Sequence, residues 1–179
     1  VTVFKIEGRA RSAEYVKKVS SCYRRAADAV IAGTYTPELA ASLKEELTEV
    51  FNRGFWDGYY QGARLGQWSE VYGSSSTRKK VYAGKVTNWF AKLSVAEVLI
   101  ESATLKVGDR ILIMGPTTGV VETTVSEIRV DLKPVESASK GVYCSIPIDF
   151  SKDTDTLREA ADAATRLRRS DKVYIWAEE

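Results

Sequence analysis

Apolar residues recur along this chain first with the period of a helix and later with that of a strand. Residues 1–7 alternate, with Val1, Val3, Phe4 and Ile6 among polar neighbours, and read as a short strand stopped by Gly8. From Ser12 to Ala32 the period lengthens. Tyr15, Val16, Val19, Cys22, Tyr23, Ala26 and Val30 make one stripe at helical spacing, and Gly33 is a good C-terminal stop. Thr36-Pro37-Glu38 then starts a second helix, with a hydroxyl at the N-cap and proline at the first helical position. Leu39, Leu43, Leu47 and Val50 define its inner face, which extends to about Phe51. A short connection between two such helices predicts a helical hairpin.

The following tract, 52–80, has a different texture. Glycines at 54, 58, 62 and 66 fall between Phe55, Trp56, Tyr59, Tyr60 and Trp68. A four-residue glycine period suits packed membrane helices. Here Asp57, Gln61 and Arg64 interrupt any apolar span. In a soluble helix each glycine costs roughly 1 kcal/mol relative to alanine. An aromatic-rich loop is therefore expected, followed by the flexible run Gly73-Ser74-Ser75-Ser76-Thr77 and the basic triplet Arg78-Lys79-Lys80.

Strand texture begins at Val81. Val81 to Phe90, Val95 to Glu101, Arg110 to Met114, Val120 to Val130 and Gly141 to Ile148 are β-branched, often alternating runs. Turns at Lys106-Val107-Gly108-Asp109, Gly115-Pro116-Thr117-Thr118-Gly119 and Lys133-Pro134 separate them. Closely spaced strands of this kind predict a small antiparallel barrel of about six strands. Asp155 to Arg169 interrupts it as an amphipathic helix (Leu157, Ala160, Ala161, Ala164, Leu167), and Lys172 to Trp176 returns as the last strand. The expected class is α+β: a helical hairpin and Gly/aromatic connector over 1–80, then a β-barrel domain over 81–179 with an inserted helix.

Composition narrows the chemistry. The chain has 179 residues, 44% of them hydrophobic, with a net charge of +2, too small to imply a polyanionic partner by itself. It contains no histidine, so Ser–His and Cys–His dyads, His-rich zinc sites and haem ligation by histidine are excluded within it. Two cysteines, Cys22 and Cys144, cannot alone make a zinc site or an iron–sulfur cluster. They are a poor disulfide framework and point to a reducing, cytoplasmic compartment. No apolar run approaches the ~20 residues of a membrane span, and the first residues do not form a signal peptide. A first residue other than Met, placed mid-strand, reads as a piece of a longer chain.

Few side chains suggest a site. Glu7 and Arg9 are two apart and would share a strand face, either contacting a substrate or supporting the strand-to-helix turn as an ion pair. Cys22 lies on the helical stripe and Cys144 in a strand, which suits buried structural thiols. Residues 51–100 hold seven Lys+Arg (53, 64, 78, 79, 80, 85, 92) against three Asp+Glu (57, 70, 97), interleaved with aromatics. Cations can neutralise phosphates and aromatic faces can stack on unpaired bases. That makes Arg53, Trp56, Tyr59, Tyr60, Arg78, Lys79 and Lys80 candidates for substrate contact, against the plainer alternative of interdomain packing. Gly115 to Gly119 lacks the lysine and following helix of a phosphate loop and reads as a hairpin turn. Glu122 and Glu127 have nothing to fix them as a catalytic pair, and Arg166, Arg168 and Arg169 suit a helix C-terminus.

A set of short runs, in order, adds a family. Phe4-Lys5-Ile6-Glu7-Gly8-Arg9-Ala10-Arg11-Ser12-Ala13-Glu14-Tyr15-Val16 resembles the join between catalytic barrel and C-terminal region in the collagenase-like peptidases, family U32. Cys22-Tyr23-Arg24-Arg25-Ala26, Arg53-Gly54-Phe55 with Gly58-Tyr59-Tyr60-Gln61-Gly62, and Val107-Gly108-Asp109 with Met114-Gly115-Pro116 are similar to further segments of that family. The resemblance implies that residues 1–80 comprise the end of an upstream barrel, the hairpin and the connector. It implies a C-terminal barrel similar to the second domain of elongation factor Tu. It also implies a parent protein acting in protein and collagen breakdown or, as for several members, in hydroxylation of RNA or of a quinone precursor. The family's cysteine signature belongs to the upstream barrel and is not in these residues, so no catalytic or metal residue carries over. No cofactor is expected in this chain, while an iron–sulfur cluster is compatible with the upstream part. The function expected is a non-catalytic module that positions a macromolecular substrate, RNA foremost, against an upstream catalytic barrel. The alternatives are recognition of protein or collagen-like substrates, and a structural or homodimer-forming role.

Overall fold

The computed structural model describes residues 3–55, 74–150 and 167–178. The chain divides into two compact units, Val1–Arg78 and Lys79–Glu179. Their secondary structure is α in the first and β in the second, an α+β protein.

Unit 1 is an αα-hairpin. Helix α1 spans Ala13–Ile31 and helix α2 spans Pro37–Thr48. The second starts as its sequence requires. Thr36 is extended at the N-cap, and its Oγ1 accepts a hydrogen bond from Leu39 N at 3.2 Å, with Pro37 at the first helical position. Leu43 and Val50 of its inner face are buried. On α1 the packed face is rotated from the expected stripe. Val19, Cys22 and Ala29 are buried, whereas Val16, Tyr23 and Val30 are exposed. One partner helix covers only a narrow seam of that stripe, and ion pairs border it. Glu46 of α2 takes Arg25 Nη1 at 2.7 Å and Lys18 Nζ at 3.9 Å, and Glu49 takes Lys18 at 3.5 Å, so the seam follows Lys18, Cys22, Arg25 and Ala29. Residues 3–7 are not a strand. Unit 1 contains no other strand among the described residues, so their backbone has no ladder to join, and Val3, Phe4 and Ile6 are exposed.

Among its described residues unit 2 has ten strands. They are β1 (Arg78–Phe90, entering from the end of unit 1), β2 (Val95–Ile100), β3 (Leu105–Lys106), β4 (Arg110–Gly115), β5 (Gly119–Thr124), β6 (Ile128–Val130), β7 (Lys133–Val135), β8 (Ser137–Ala138), β9 (Tyr143–Pro147) and β10 (Lys172–Glu178). Eight form one sheet in the order β5-β4-β10-β1-β2-β9-β6-β7, and β3 pairs with β8. The pairs β1–β2, β2–β9, β9–β6, β6–β7, β10–β4, β4–β5 and β3–β8 are antiparallel. One core gathers Val121 from one end of the strand order and Ile128 from near the other, with Val98, Ile100, Ile111, Ile113, Ile146 and Val173 between them. A sheet whose ends share a core must curl on itself, as a small barrel does. Each fully buried Ile or Leu contributes roughly 1.5–3 kcal/mol. Seven such residues (Ile100, Leu105, Ile111, Leu112, Ile113, Ile128, Ile146) give unit 2 a core that the hairpin lacks.

Three expectations shift. The run Val120 to Val130 breaks at Val125-Ser126-Glu127 into β5 and β6. The basic triplet is not a linker end but the first turn of β1, because the strand starts at Arg78 rather than Val81. The expected helix ending at Arg169 does not reach that far: Leu167 and Arg168 are irregular and Arg169-Ser170 form a turn. The remainder of that helix, 155–166, lies outside the described residues. Gly115 and Gly119 pair across a tight β4–β5 hairpin, as their turn residues predict.

A cationic and aromatic cleft in the helical unit

The hairpin brings its two open ends together. Arg11, just before α1, and Phe51 and Arg53, just after α2, meet because antiparallel helices return the chain to its start. The Arg11 guanidinium lies 3.7 Å from the centre of the Phe51 ring, and Arg53 lies 5.9 Å from the same ring. Lys44 lies 5.4 Å from the centre of the Phe55 ring. Cation–π contacts of this kind contribute about 0.5–1 kcal/mol at exposed sites and fix guanidinium planes against aromatic faces. The cleft they border, of about 330 Å³, is also lined by Tyr15, Tyr23 and Leu47. Phe4 packs on Tyr23 at 5.5 Å between ring centroids. Asn52 holds the exit of α2 with its own amide, donating to the carbonyls of Thr48 at 3.2 Å and Val50 at 3.0 Å. Its Oδ1 accepts from Gly54 N at 3.1 Å.

Among the described residues of the helical unit, the expected site residues Glu7, Arg9, Arg53 and Arg78 have different neighbours. Glu7 and Arg9 pair with each other at 3.4 Å, and Glu7 Oε1 also accepts from Arg9 N at 3.1 Å, in an exposed turn. Arg53 joins the cleft. Arg78 is committed to Glu49 at 3.0 Å. Lys79 is exposed on β1, and Lys80 sits 5.3 Å from the centre of the Tyr174 ring. Lys85, part of the same basic tract, pairs with Glu101 at 2.7 Å. Trp56, Tyr59 and Tyr60 lie outside the described residues. Arg11 and Phe51 were the cleft residues missed by sequence reasoning. Their signal was positional, since each abuts a helix end that a hairpin must bring near the other.

Other side chains have structural partners. Glu122 pairs with Arg110 at 3.7 Å and Glu127 with Arg129 at 2.7 Å, so neither is one of a carboxylate pair. Cys22 and Cys144 are buried free thiols, and burial pushes the Cys144 thiol up to about 11. Among the described residues no group of three or more Cys, Asp or Glu is placed to hold a metal ion. No helix among them is long and apolar enough to cross a membrane.

Comparison with known proteins follows the same line. Residues 1–70 match the model of peptidase family U32. A protein named collagenase from Porphyromonas gingivalis strain W83 is 49% identical over 174 residues, covering 97% of this chain and 38% of its own length. A second P. gingivalis collagenase is 49% identical over the same share of the chain and 44% of its own length. An uncharacterized protease of Methanocaldococcus jannaschii is 41% identical over 98% of the chain and 40% of its own length. A crystal structure described as the C-terminal domain of a Geobacillus thermoleovorans U32 peptidase aligns with 52% of this chain and 90% of its own, at 14% identity and TM-score 0.41. Residues 1–70 thus resemble peptidase family U32, and the chain spans less than half the length of the curated relatives it matches.

Proposed function

We propose that this chain is a non-catalytic C-terminal module of a family U32 protein, positioning a polypeptide substrate for a catalytic domain found elsewhere in the longer relatives. The observation that carries the substrate class is the state of the basic tract. Phosphate recognition needs cations free to displace counterions. Of that tract Arg78 is held by Glu49 and Lys85 by Glu101, and on the hairpin Lys18 and Arg25 are likewise held by the Glu46 and Glu49 carboxylates. What stays open is a cleft of aromatic rings edged by guanidinium groups, a surface that suits the carbonyls and side chains of an extended peptide. The collagenase names of relatives 49% identical to it support the same class.

A second reading has one specific observation in its favour. The stack of Arg11, Phe51 and Arg53 offers π faces and charge together, which unpaired bases and phosphates also use. On that reading the module positions RNA.

Fluorescence anisotropy separates them. A labelled gelatin-derived peptide and a labelled structured RNA are each titrated with the chain at low and at near-physiological salt. The polypeptide reading expects peptide binding that persists at the higher salt and falls about tenfold in Phe51→Ala. RNA binding that persists there, with no peptide binding, overturns it in favour of the second reading.

A further inference from the structure

Unit 2 contains a second cleft, of about 560 Å³, beside an irregularity in β1. Register between β1 and β2 slips between Val86 and Asn88, which releases Thr87 from the ladder. Such bulges re-aim side chains and are common beside functional sites. The released Thr87 Oγ1 donates to Glu97 Oε1 at 2.6 Å and lies 3.2 Å from the Glu97 carbonyl oxygen. That fixes one carboxylate oxygen and leaves the other to accept from elsewhere.

Folding leaves several groups around this cleft unexplained. Trp89 Nε1 is buried without an acceptor, although its ring packs edge-on against Phe150 at 5.7 Å. A buried donor left unpaired is costly. Arg168 and Arg169 are exposed on the cleft wall, and neither guanidinium has an ion-pair or ring partner among the described residues. This contrasts with Arg78 and Arg110, each held by a glutamate. Tyr143 adds a half-exposed ring to the same wall. The cleft therefore offers two planar cationic forks and one carboxylate acceptor, with the Trp89 ring in its wall.

We propose that this cleft binds the carboxyl-terminal end of a polypeptide. The terminal carboxylate meets the forks of Arg168 and Arg169, whose geometry matches a carboxylate. A backbone N–H of the peptide donates to the Glu97 carboxylate oxygen that Thr87 leaves open, and the Trp89 ring forms the wall beside it. A polypeptide end carries a single negative charge for the arginines and, beside it, an amide donor for Glu97. A phosphodiester strand would bring repeated charges against the Glu97 carboxylate, at an energetic cost. The volume fits a few residues of peptide. The inference rests on the polypeptide reading above and adds which part of the polypeptide is recognised.

The test uses one short fluorescein-labelled peptide in two forms, free carboxylate and carboxyl amide, titrated by anisotropy with the full chain. The free acid should bind about tenfold tighter, the effect of one charge-assisted contact. Arg168→Ala/Arg169→Ala should reduce the acid to the affinity of the amide while leaving the amide unchanged. Glu97→Ala removes the acceptor for the peptide N–H and should weaken both forms. Equal binding of acid and amide by the unaltered chain overturns the carboxylate site and leaves the polypeptide reading standing. No binding of either form by a folded chain overturns both. RNA binding that depends on Arg168 and Arg169, with both peptides inert, also overturns the proposal.

Discussion

Thr118 Oγ1 donates to Asp171 Oδ2 at 2.5 Å, joining the β4–β5 hairpin to the residue just before β10. Both residues are buried, and the same carboxylate oxygen accepts from Arg168 N at 2.8 Å. The Asp171 backbone is tied as well, its carbonyl accepting from Val86 N at 2.8 Å. This one carboxylate thus fixes where the chain re-enters the sheet before its last strand. Thr118→Val keeps the shape and removes the donor. It should cost about 1–3 kcal/mol, read from urea denaturation, since a buried carboxylate loses a partner. A change within a few tenths would mean that the contact is energetically idle.

Gly115 depends on the same group. A Cβ built there would fall on the Asp171 carboxylate. Gly115→Ala should destabilise by about 1–3 kcal/mol through overpacking. The loss should shrink in an Asp171→Ala background, which a double-mutant cycle measures as coupling. Additive losses would show that the cost arises elsewhere.

Tyr82 and Glu101 set a pH signature. The Tyr82 hydroxyl donates to Glu101 at 2.5 Å, and this bond pushes its pKa from 10.0 up to about 12. A folded-state value above the unfolded one adds stability that is present below about pH 10 and is lost as pH rises through 12. Spectrophotometric titration should show one late-ionising tyrosine in the folded chain, shifted back toward 10 in Glu101→Gln. Hydrogen bonding to Lys85, then to Tyr82, lowers Glu101 below its ordinary 4.5. Its contribution is therefore present above that value and is lost as pH falls beneath it.

The cap of α2 is directly testable. Thr36→Ala removes the acceptor for Leu39 N and should cost about 1 kcal/mol, seen as earlier loss of helical circular dichroism on heating. Thr36→Ser should restore most of it.

The thiols should be quiet. Cys22 and Cys144 are 2% and 1% exposed, and the Cys144 thiol is raised to about 11. Ellman's reagent at neutral pH should react slowly with the folded chain and with both thiols once denatured. A fast-reacting thiol in the folded state would contradict their burial.

Local chemistry made much of this legible. Thr36-Pro37, Gly33 and the Gly115–Gly119 turn mark element ends through capping and positive-φ geometry, which act within a few residues. Alternation made β2 and β9 visible, because a strand between core and solvent must alternate, and β4 was visible as a short continuous apolar run buried on both faces. The short strands β3, β7 and β8 were invisible, since two or three residues carry no period. The rotation of α1 was equally hidden, because its apolar stripe was wider than the seam that a single helix covers.

By itself the sequence determined the class, the order of helices before strands, the helix caps, the tight hairpin and the absence of histidine chemistry. Each follows from contacts between near neighbours or from composition. Only the tertiary structure decided which charges were free. Arg78 looked like an open cation until Glu49, at the end of α2 and 29 residues earlier, was found beside it. Arg168 and Arg169 looked like a helix terminus until they stood unpaired next to a buried indole. Charge pairing depends on distance in space, and the fold sets that distance.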